Sequence, residues 1–249
     1  MSKEKIAISI DSDLLEEIDS MVDGTKLRSR SQAIEVLLKQ SIKFKPVDVA
    51  VMLIHSRELE NIFRKFEGKP FFEHNLDFLR KNRFKELYIV TQETSRFKAY
   101  TDNDIKINLI TESSAKGTAS ALNLLKDKLK TDFVVFNGDT LNDFDIRRMI
   151  SKHKSSKYIC TMGLISSTSP SSFGSVVLDG EQIVDFKEKK EASTNIINAG
   201  IYIFKPNIFL LFDDKTQSLE NDLFPKLAKL NLLQGFFTLG KYVHAPDLI

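Results

Sequence analysis

The chain has 249 residues, 42% hydrophobic and 28% charged, which is apolar enough to pack a core and excludes a wholly disordered chain. Its 36 Lys and Arg nearly cancel 34 Asp and Glu, so the net charge of +2 excludes a uniformly cationic coat and leaves room only for a local basic patch. No apolar run reaches the roughly 18–20 residues of a membrane span, no apolar signal block opens the sequence, and the lone Cys160 forms no intrachain disulfide and no zinc cluster. A cytoplasmic protein without a membrane partner is expected.

Residues 5–10, KIAISI, alternate strictly, with Ile6, Ile8 and Ile10 on one face and Lys5, Ala7 and Ser9 on the other, the period of a half-buried strand. Asp11-Ser12-Asp13 then supplies a helix N-cap, Leu14, Leu15, Ile18, Met21 and Val22 follow at helical spacing, and Gly24 ends the helix. After a basic loop with Lys26, Arg28 and Arg30, a cap at Ser29 or Ser31 opens a second helix to about Ile42. One strand and two helices cannot bury so many Ile and Leu side chains alone. A lone strand also leaves its ladder bonds unmade on both edges, so a two-fold dimer with paired antiparallel strands is expected. Such a ribbon fits the major groove of DNA, and a helix start can hold a backbone phosphate.

The strand KIAISI, the cap DSDLLEEID and the helix start RSRSQAIEVLL resemble the ribbon-helix-helix family of DNA-binding proteins over residues 3–43. The resemblance implies that Lys5, Ala7 and Ser9 face the bases of double-stranded DNA and that Ser29 to Ser31 clamp a phosphate. Arg28 and Arg30 flank that clamp. Ala7 departs from the family pattern, offering a methyl group where a polar reader is usual. Eight basic and eight acidic residues in the first 45 leave overall charge silent, and a pure dimerisation cap is the competing reading.

Pro46 cannot continue a helix, so the linker falls at Lys43 to Asp48, between an expected domain over 1–45 and another over 48–249. Beyond it, strands are expected at 47–54, 86–90, 107–110, 133–136, 158–164 and 199–204, and helices at 70–82, 119–130 and 145–152. That alternation indicates an α/β domain with a mostly parallel sheet, whose ligands bind at the carboxyl ends of the strands. FVVFNGDT runs off one such end into Asp139, either a turn or cap residue or a Mg²⁺ ligand.

The segments AVMLI, GKPFFEHNLDFLRKNRFKELYIV, ESSAKGTASAL, FVVFNGDTLNDFDI, FGSVVLDGEQIVDFKEK, INAGIYIFKP and SLENDLFPKLA, in that order, resemble the sugar-phosphate nucleotidyltransferase family over residues 48–249. The resemblance implies a Rossmann-like mixed sheet. It places Gly117 near a nucleotide base, Asp139 at a metal, and Gly174, Glu188, Lys189, Asn198, Ala199 and Gly200 around a sugar phosphate. Mg²⁺ is possible at Asp139, with no cofactor otherwise required.

Two departures stand against the family pattern. The glycine-rich loop with its Arg and Lys is replaced by IHSRELENIFRKFEGKP, which has no glycine before Gly68, carries Glu58 and Glu60, and offers Arg57, Arg64 and Lys65 as replacement cations. Near the C-terminus His244 stands where a second metal-binding Asp is expected, and Asp247 is misplaced for that role. Each loss removes transition-state stabilisation of several kcal/mol on the scale of about 3–4 per oxyanion-type donor. The expectation is therefore no enzyme but a DNA-binding regulator, dimeric or tetrameric, whose large domain senses a sugar phosphate, sugar nucleotide or nucleotide. An active sugar-1-phosphate nucleotidyltransferase and an architectural DNA-binding protein are the alternatives. His55, His74, His153 and His244 lack metal-ligand spacing, Cys160 reads as a core residue, and 165–172 reads as a loop over the pocket.

Overall fold

The computed structural model describes residues 4, 6–43, 47–189, 194–237 and 242–247. The chain divides into two compact units, Met1–Pro46 and Val47–Ile249.

In the first unit, Asp11 caps α1 (Ser12–Ser20) by accepting the Asp13 amide at 3.0 Å. The turn after it closes on Asp23, whose Oδ1 accepts the amides of Thr25, Lys26 and Leu27 at 2.8, 2.7 and 3.0 Å while Gly24 takes a left-handed φ of 71°. Ser29 then caps α2 (Arg30–Lys43) through the Gln32 amide at 3.2 Å. Among the side chains described, Ile18 and Ala33 are the buried apolar ones of this pair. The strand expected over 5–10 is not formed: residues 6–10 belong to no strand, and Lys5 lies outside the described residues. Ile6 and Ile8 remain 77% and 57% exposed. The physical reason is that a strand needs ladder partners, and among the described residues of this unit no other strand supplies them.

The second unit is built on β1 (Val49–Leu53), buried almost throughout. It continues through α3 (Leu59–Phe63), the small hairpin β2 (Lys65–Phe66) and β3 (Lys69–Pro70), α4 (Phe71–Lys81), β4 (Glu86–Thr91), β5 (Lys106–Thr111) and α5 (Thr118–Asn123). Next come β6 (Phe133–Asn137), β7 (Thr140–Asn142), α6 (Ile146–Lys154), β8 (Cys160–Ser166), β9 (Gly174–Asp179), β10 (Gln182–Glu188) and β11 (Ile196–Phe204). A π-helical turn Leu219–Leu223 leads into α7 (Phe224–Lys229), and β12 (Leu233–Phe237) and β13 (Tyr242–His244) close the order. Nine strands form one sheet in the order β5-β4-β1-β6-β11-β8-β12-β10-β9.

The half from β5 to β6 is parallel, whereas β11 runs antiparallel to β6 and β8, and β9 and β10 pair antiparallel. The sheet is thus mixed instead of mostly parallel. Its apolar side chains feed two clusters, one around Met52, Phe72, Ile89 and Ile203 and one around Val51, Leu122, Tyr202 and Phe224. The helix expected over 119–130 stops at Asn123, because the bonds Lys126 N to Asn123 O and Lys128 N to Leu125 O span three residues and tighten the chain into turns.

Behind the sheet lies a buried polar knot. His153 on α6, fully buried, meets Thr161 Oγ1 through Nδ1 at 2.6 Å. Gln234 Nε2 donates to the same hydroxyl at 2.7 Å and to Ser156 Oγ at 2.8 Å. Burial, with the Lys205 and Lys154 cations, lowers the His153 pKa to about 3. The folded state therefore keeps this imidazole neutral while the unfolded chain protonates it below about pH 6.5. Stability is full above that pH and is expected to fall on acidification by up to about 1.4 kcal/mol per pH unit. Urea midpoints from pH 7 to 4, compared with those of His153→Gln, check this. Equal acid slopes in both proteins would contradict it.

Candidate functional site

A cavity of about 440 Å³ opens at the carboxyl ends of β1, β4 and β6. Seven of the eight residues expected to bind ligand line it, Gly117, Asp139, Gly174, Glu188, Lys189, Asn198 and Gly200, whereas Ala199 is buried in the sheet and is not among its lining residues. They come from four separate segments, so only the fold brings them together.

Each is held by its local backbone. Gly117, at φ 129°, opens α5 against the chain before the π-helical turn, where a Cβ would stand 2.5 Å from the Gln217 carbonyl oxygen. The Ala119 amide donates to that same oxygen at 2.8 Å, and Thr118 Oγ1 donates to Glu220 Oε2 at 2.7 Å while accepting the Leu219 amide at 2.9 Å. Gly174 packs under Phe186 and the Glu188 carboxylate. In β11 the register shifts between Asn198 and Tyr202. Asn198 Oδ1 accepts the Gly200 amide at 2.8 Å and its Nδ2 donates to the Tyr202 hydroxyl at 2.7 Å, which fixes the amide's orientation. Lys189 sits in the left-handed region at φ 45°, a strained conformation of the kind that concentrates at functional sites.

Charge in the cavity is uneven. Burial raises the Glu188 pKa, the Glu220 carboxylate adds to the rise, and Lys189 opposes it. On the opposite wall Asp139 Oδ2 lies 3.6 Å from His244 Nε2, and His244 Nδ1 lies 3.2 Å from Asp247 Oδ2, close enough for an ion pair but not aligned for a hydrogen bond. The Asp139 carboxylate, ahead of Asp247, holds the His244 pKa above its ordinary value against the opposing effect of burial. Asp139 Oδ1 and Asn137 Oδ1 are buried without hydrogen-bond partners. A carboxylate with a free inward oxygen beside an amide oxygen fits a divalent cation completed by ligand phosphates.

The segment that replaces the glycine-rich loop forms a 3₁₀ turn, Ser56–Glu58, and α3. His55, Arg57 and Glu58 line the cavity, while Arg64, Lys65 and Glu60 are not among its lining residues, and Glu60 pairs with Arg96 at 2.6 Å. Two amides at this turn already have acceptors: Ser56 N donates to Gln92 Oε1 at 2.8 Å and Arg57 N to His55 Nδ1 at 3.2 Å. Sequence reasoning missed Gln92, Glu112, Glu220 and Tyr242 in the lining. Gln92 and Glu112 each follow the last residue of a buried or half-buried parallel strand, a position that marks ligand contacts in such sheets.

In the N-terminal unit, Ala7, Ser9, Arg28, Ser29, Arg30 and Ser31 are exposed. Arg30 is engaged within the chain, donating from Nε to Asp19 Oδ1 at 2.5 Å and from a terminal nitrogen to Oδ2 at 2.6 Å. Arg28 Nε donates to the Thr25 carbonyl at 3.3 Å. No helix among the described residues is long and apolar enough to cross a membrane.

Comparison with known proteins places both units. Residues 57–240 match the nucleotidyl transferase family model, and residues 4–43 match the model of the ribbon-helix-helix protein, copG family. A mannose-1-phosphate guanylyltransferase of Mycobacterium tuberculosis is 31% identical over 187 residues, 72% of this chain and 51% of that protein. The bifunctional protein GlmU of Methanocaldococcus jannaschii is 31% identical over 148 residues, 59% of this chain and 35% of that protein. The chain spans about half the length, or less, of these relatives. Among solved structures, the inositol-1-phosphate CTP transferase of T. maritima superposes with a TM-score of 0.68 at 16% identity, covering 81% of this chain and 90% of that one. A UDP-glucose pyrophosphorylase from Acinetobacter baumannii gives 0.68 at 14%, covering 80% and 89%. At these identities the structures establish the fold.

The expectation that the chain is no enzyme is overturned by these findings, since the matched relative and the family are named for nucleotidyl transfer. The large domain, with its cavity at the strand ends, belongs to the nucleotidyl transferase family, and it follows an N-terminal ribbon-helix-helix DNA-binding domain in the same chain.

Proposed function

We propose that this chain is a dimeric DNA-binding regulator whose C-terminal domain binds a nucleoside triphosphate and a sugar 1-phosphate, joins them, and reports its occupancy to the DNA-binding ribbon. The observation that carries the reading is the convergence of seven of the eight expected ligand residues on one cavity, in a chain that also carries a ribbon-helix-helix module. In the reaction, a phosphate oxygen of the sugar 1-phosphate attacks the α-phosphorus of the triphosphate. The new P–O bond gives the sugar nucleotide, and pyrophosphate leaves with the electrons of the broken bond.

This chain's own groups have separate tasks. Lys189 neutralises the sugar's phosphate, Glu188 accepts hydrogen bonds from the sugar's hydroxyls, and Gly174 and Gly200 let the ring come close. Gly117 presents backbone to the base, and Arg57 faces the triphosphate from the turn after β1. A divalent cation at Asp139, when bound, supplies charge neutralisation for the phosphates. In the N-terminal module Lys5, Ala7 and Ser9 face the bases and Ser29 to Ser31 face a phosphate, with Arg30 exchanging Asp19 for DNA and Arg28 beside it. The domain boundaries are drawn at 1–45 and 48–249.

Coupling requires that the ligand prefer one arrangement of the paired ribbons, because a ligand with equal affinity for both shifts nothing. The reading is tested by following pyrophosphate release and DNA affinity on one preparation, in wild type and in Asp139→Asn. Release that is lost in the variant, together with ligand-shifted DNA binding, is expected. No release from any pair of NTP and sugar 1-phosphate would contradict the transferase part.

A further inference from the structure

We propose that Asp139 and His244 form a mixed oxygen–nitrogen site that favours a divalent cation of the imidazole-binding class, Co²⁺, Ni²⁺ or Zn²⁺, over Mg²⁺. This rests on the reading that a cation sits at Asp139 beside ligand phosphates, and goes beyond it by giving His244 control over which cation that is.

Three features carry it. First, the two donors are spaced as if across one ion: atoms about 2.1 Å from a common cation at a near-tetrahedral angle stand about 3.4 Å apart, and His244 Nε2 and Asp139 Oδ2 stand 3.6 Å apart. Secondly, Asp247 Oδ2 lies 3.2 Å from the other ring nitrogen, Nδ1. The pair is not aligned for a hydrogen bond here, but a turn of the ring to put Nε2 on a cation would aim Nδ1–H at that carboxylate, the usual support of a metal-binding histidine. Thirdly, the arrangement is built from the backbone. β13 pairs with β7 so that His244 stands opposite Thr140, and the Ala245 amide donates to the Asp139 carbonyl at 2.7 Å. The ring is thereby delivered to Asp139, whose Oδ1 is buried and unpartnered.

Among the described residues no set of three or more His, Cys, Asp or Glu side chains is arranged to hold a metal, so water and phosphate oxygens complete the shell. Carboxylates and water suit Mg²⁺, whereas an imidazole donor shifts preference toward later first-row metals. A His at this position therefore changes the selectivity of the site without closing it.

Isothermal titration of the full chain with Co²⁺ and with Mg²⁺, in the presence of inorganic phosphate and at fixed pH, tests this. Nitrogen–oxygen sites in general bind Co²⁺ more tightly than Mg²⁺, so the change in the ratio is decisive rather than the ratio itself. His244→Asp is expected to lower the Co²⁺/Mg²⁺ affinity ratio at least tenfold. Asp247→Asn is expected to weaken Co²⁺ by about 10–100-fold, as supporting carboxylates do, and it provides the second arm if His244→Asp does not fold. An unchanged ratio in His244→Asp with both metals bound, or unchanged Co²⁺ affinity in Asp247→Asn, would overturn the inference alone. No binding of either metal to wild type would overturn it together with the cation reading.

Discussion

Replacing Lys5 and Ser9 together with alanine is expected to cost the dimer about a thousandfold in specific DNA affinity. On the proposed reading, in which Lys5 and Ser9 face the bases in a two-fold ribbon, each chain loses two such side chains and the ribbon loses four. At about 1 kcal/mol for each, the low end of base-specific contacts, the sum is about 4 kcal/mol. Ala7 offers only a methyl group, so nothing on that face replaces the lost hydrogen bonds. Ser9 is exposed in the chain alone, so its substitution should leave the packing of Ile18 and Ala33 untouched. Fluorescence anisotropy at fixed salt measures the loss, and sedimentation checks that the dimer persists. A loss of less than tenfold with the dimer intact would place the DNA contact on another surface.

The second large effect is expected at Gly117. Its φ of 129° is a conformation that side chains rarely adopt, and a Cβ there would press against the Gln217 carbonyl, which α5 already uses as an acceptor. Gly117→Ala must therefore push α5 away from the π-helical turn, which breaks the Thr118–Glu220 and Thr118–Leu219 hydrogen bonds and opens the wall of the cavity. A cost of about 2–4 kcal/mol in urea unfolding is expected, from strain and overpacking together. Nucleotide affinity should fall with it. Gly180→Ala is the control, because Gly180 has a positive φ of 59° but nothing within 4 Å of where a Cβ would stand, so backbone strain acts there alone. Equal losses in the two variants would contradict the close approach at Gly117.

Much of the fold is legible in the sequence, and the gaps have physical causes. The strands at β1, β4 and β6 announce themselves as continuous apolar runs, which is what burial on both faces demands. The β9–β10 hairpin escapes the strand assignments although Asp179-Gly180 between two alternating runs is a hairpin signal, and Gly180 takes the left-handed conformation such a turn requires. The strand β12 is hidden by Gln234, a polar residue in a fully buried position whose Nε2 donates to Ser156 and Thr161. The ribbon strand is readable from its alternation, yet one chain alone does not form it.

The site divides in the same way. Asp139 stands out locally, at the end of a buried strand, whereas Gly117 and Glu188 are marked only by the resemblance to the nucleotidyltransferase family. The meeting of His244 with Asp139 depends on β13 pairing with β7, two three-residue strands too short to carry a period. The sequence shows His244 only as a departure, and the fold shows what that departure touches.

The most direct test of the account is anisotropy of the full chain on DNA from upstream of its own gene, at fixed salt, with and without sugar nucleotides, sugar 1-phosphates and NTPs. The account predicts specific binding in which at least one of these ligands shifts the curve in wild type, with the shift lost in Gly117→Ala while binding to DNA without ligand is retained. Specific binding that no such ligand moves would contradict the coupling of the two units, and absence of specific binding would contradict the regulator itself.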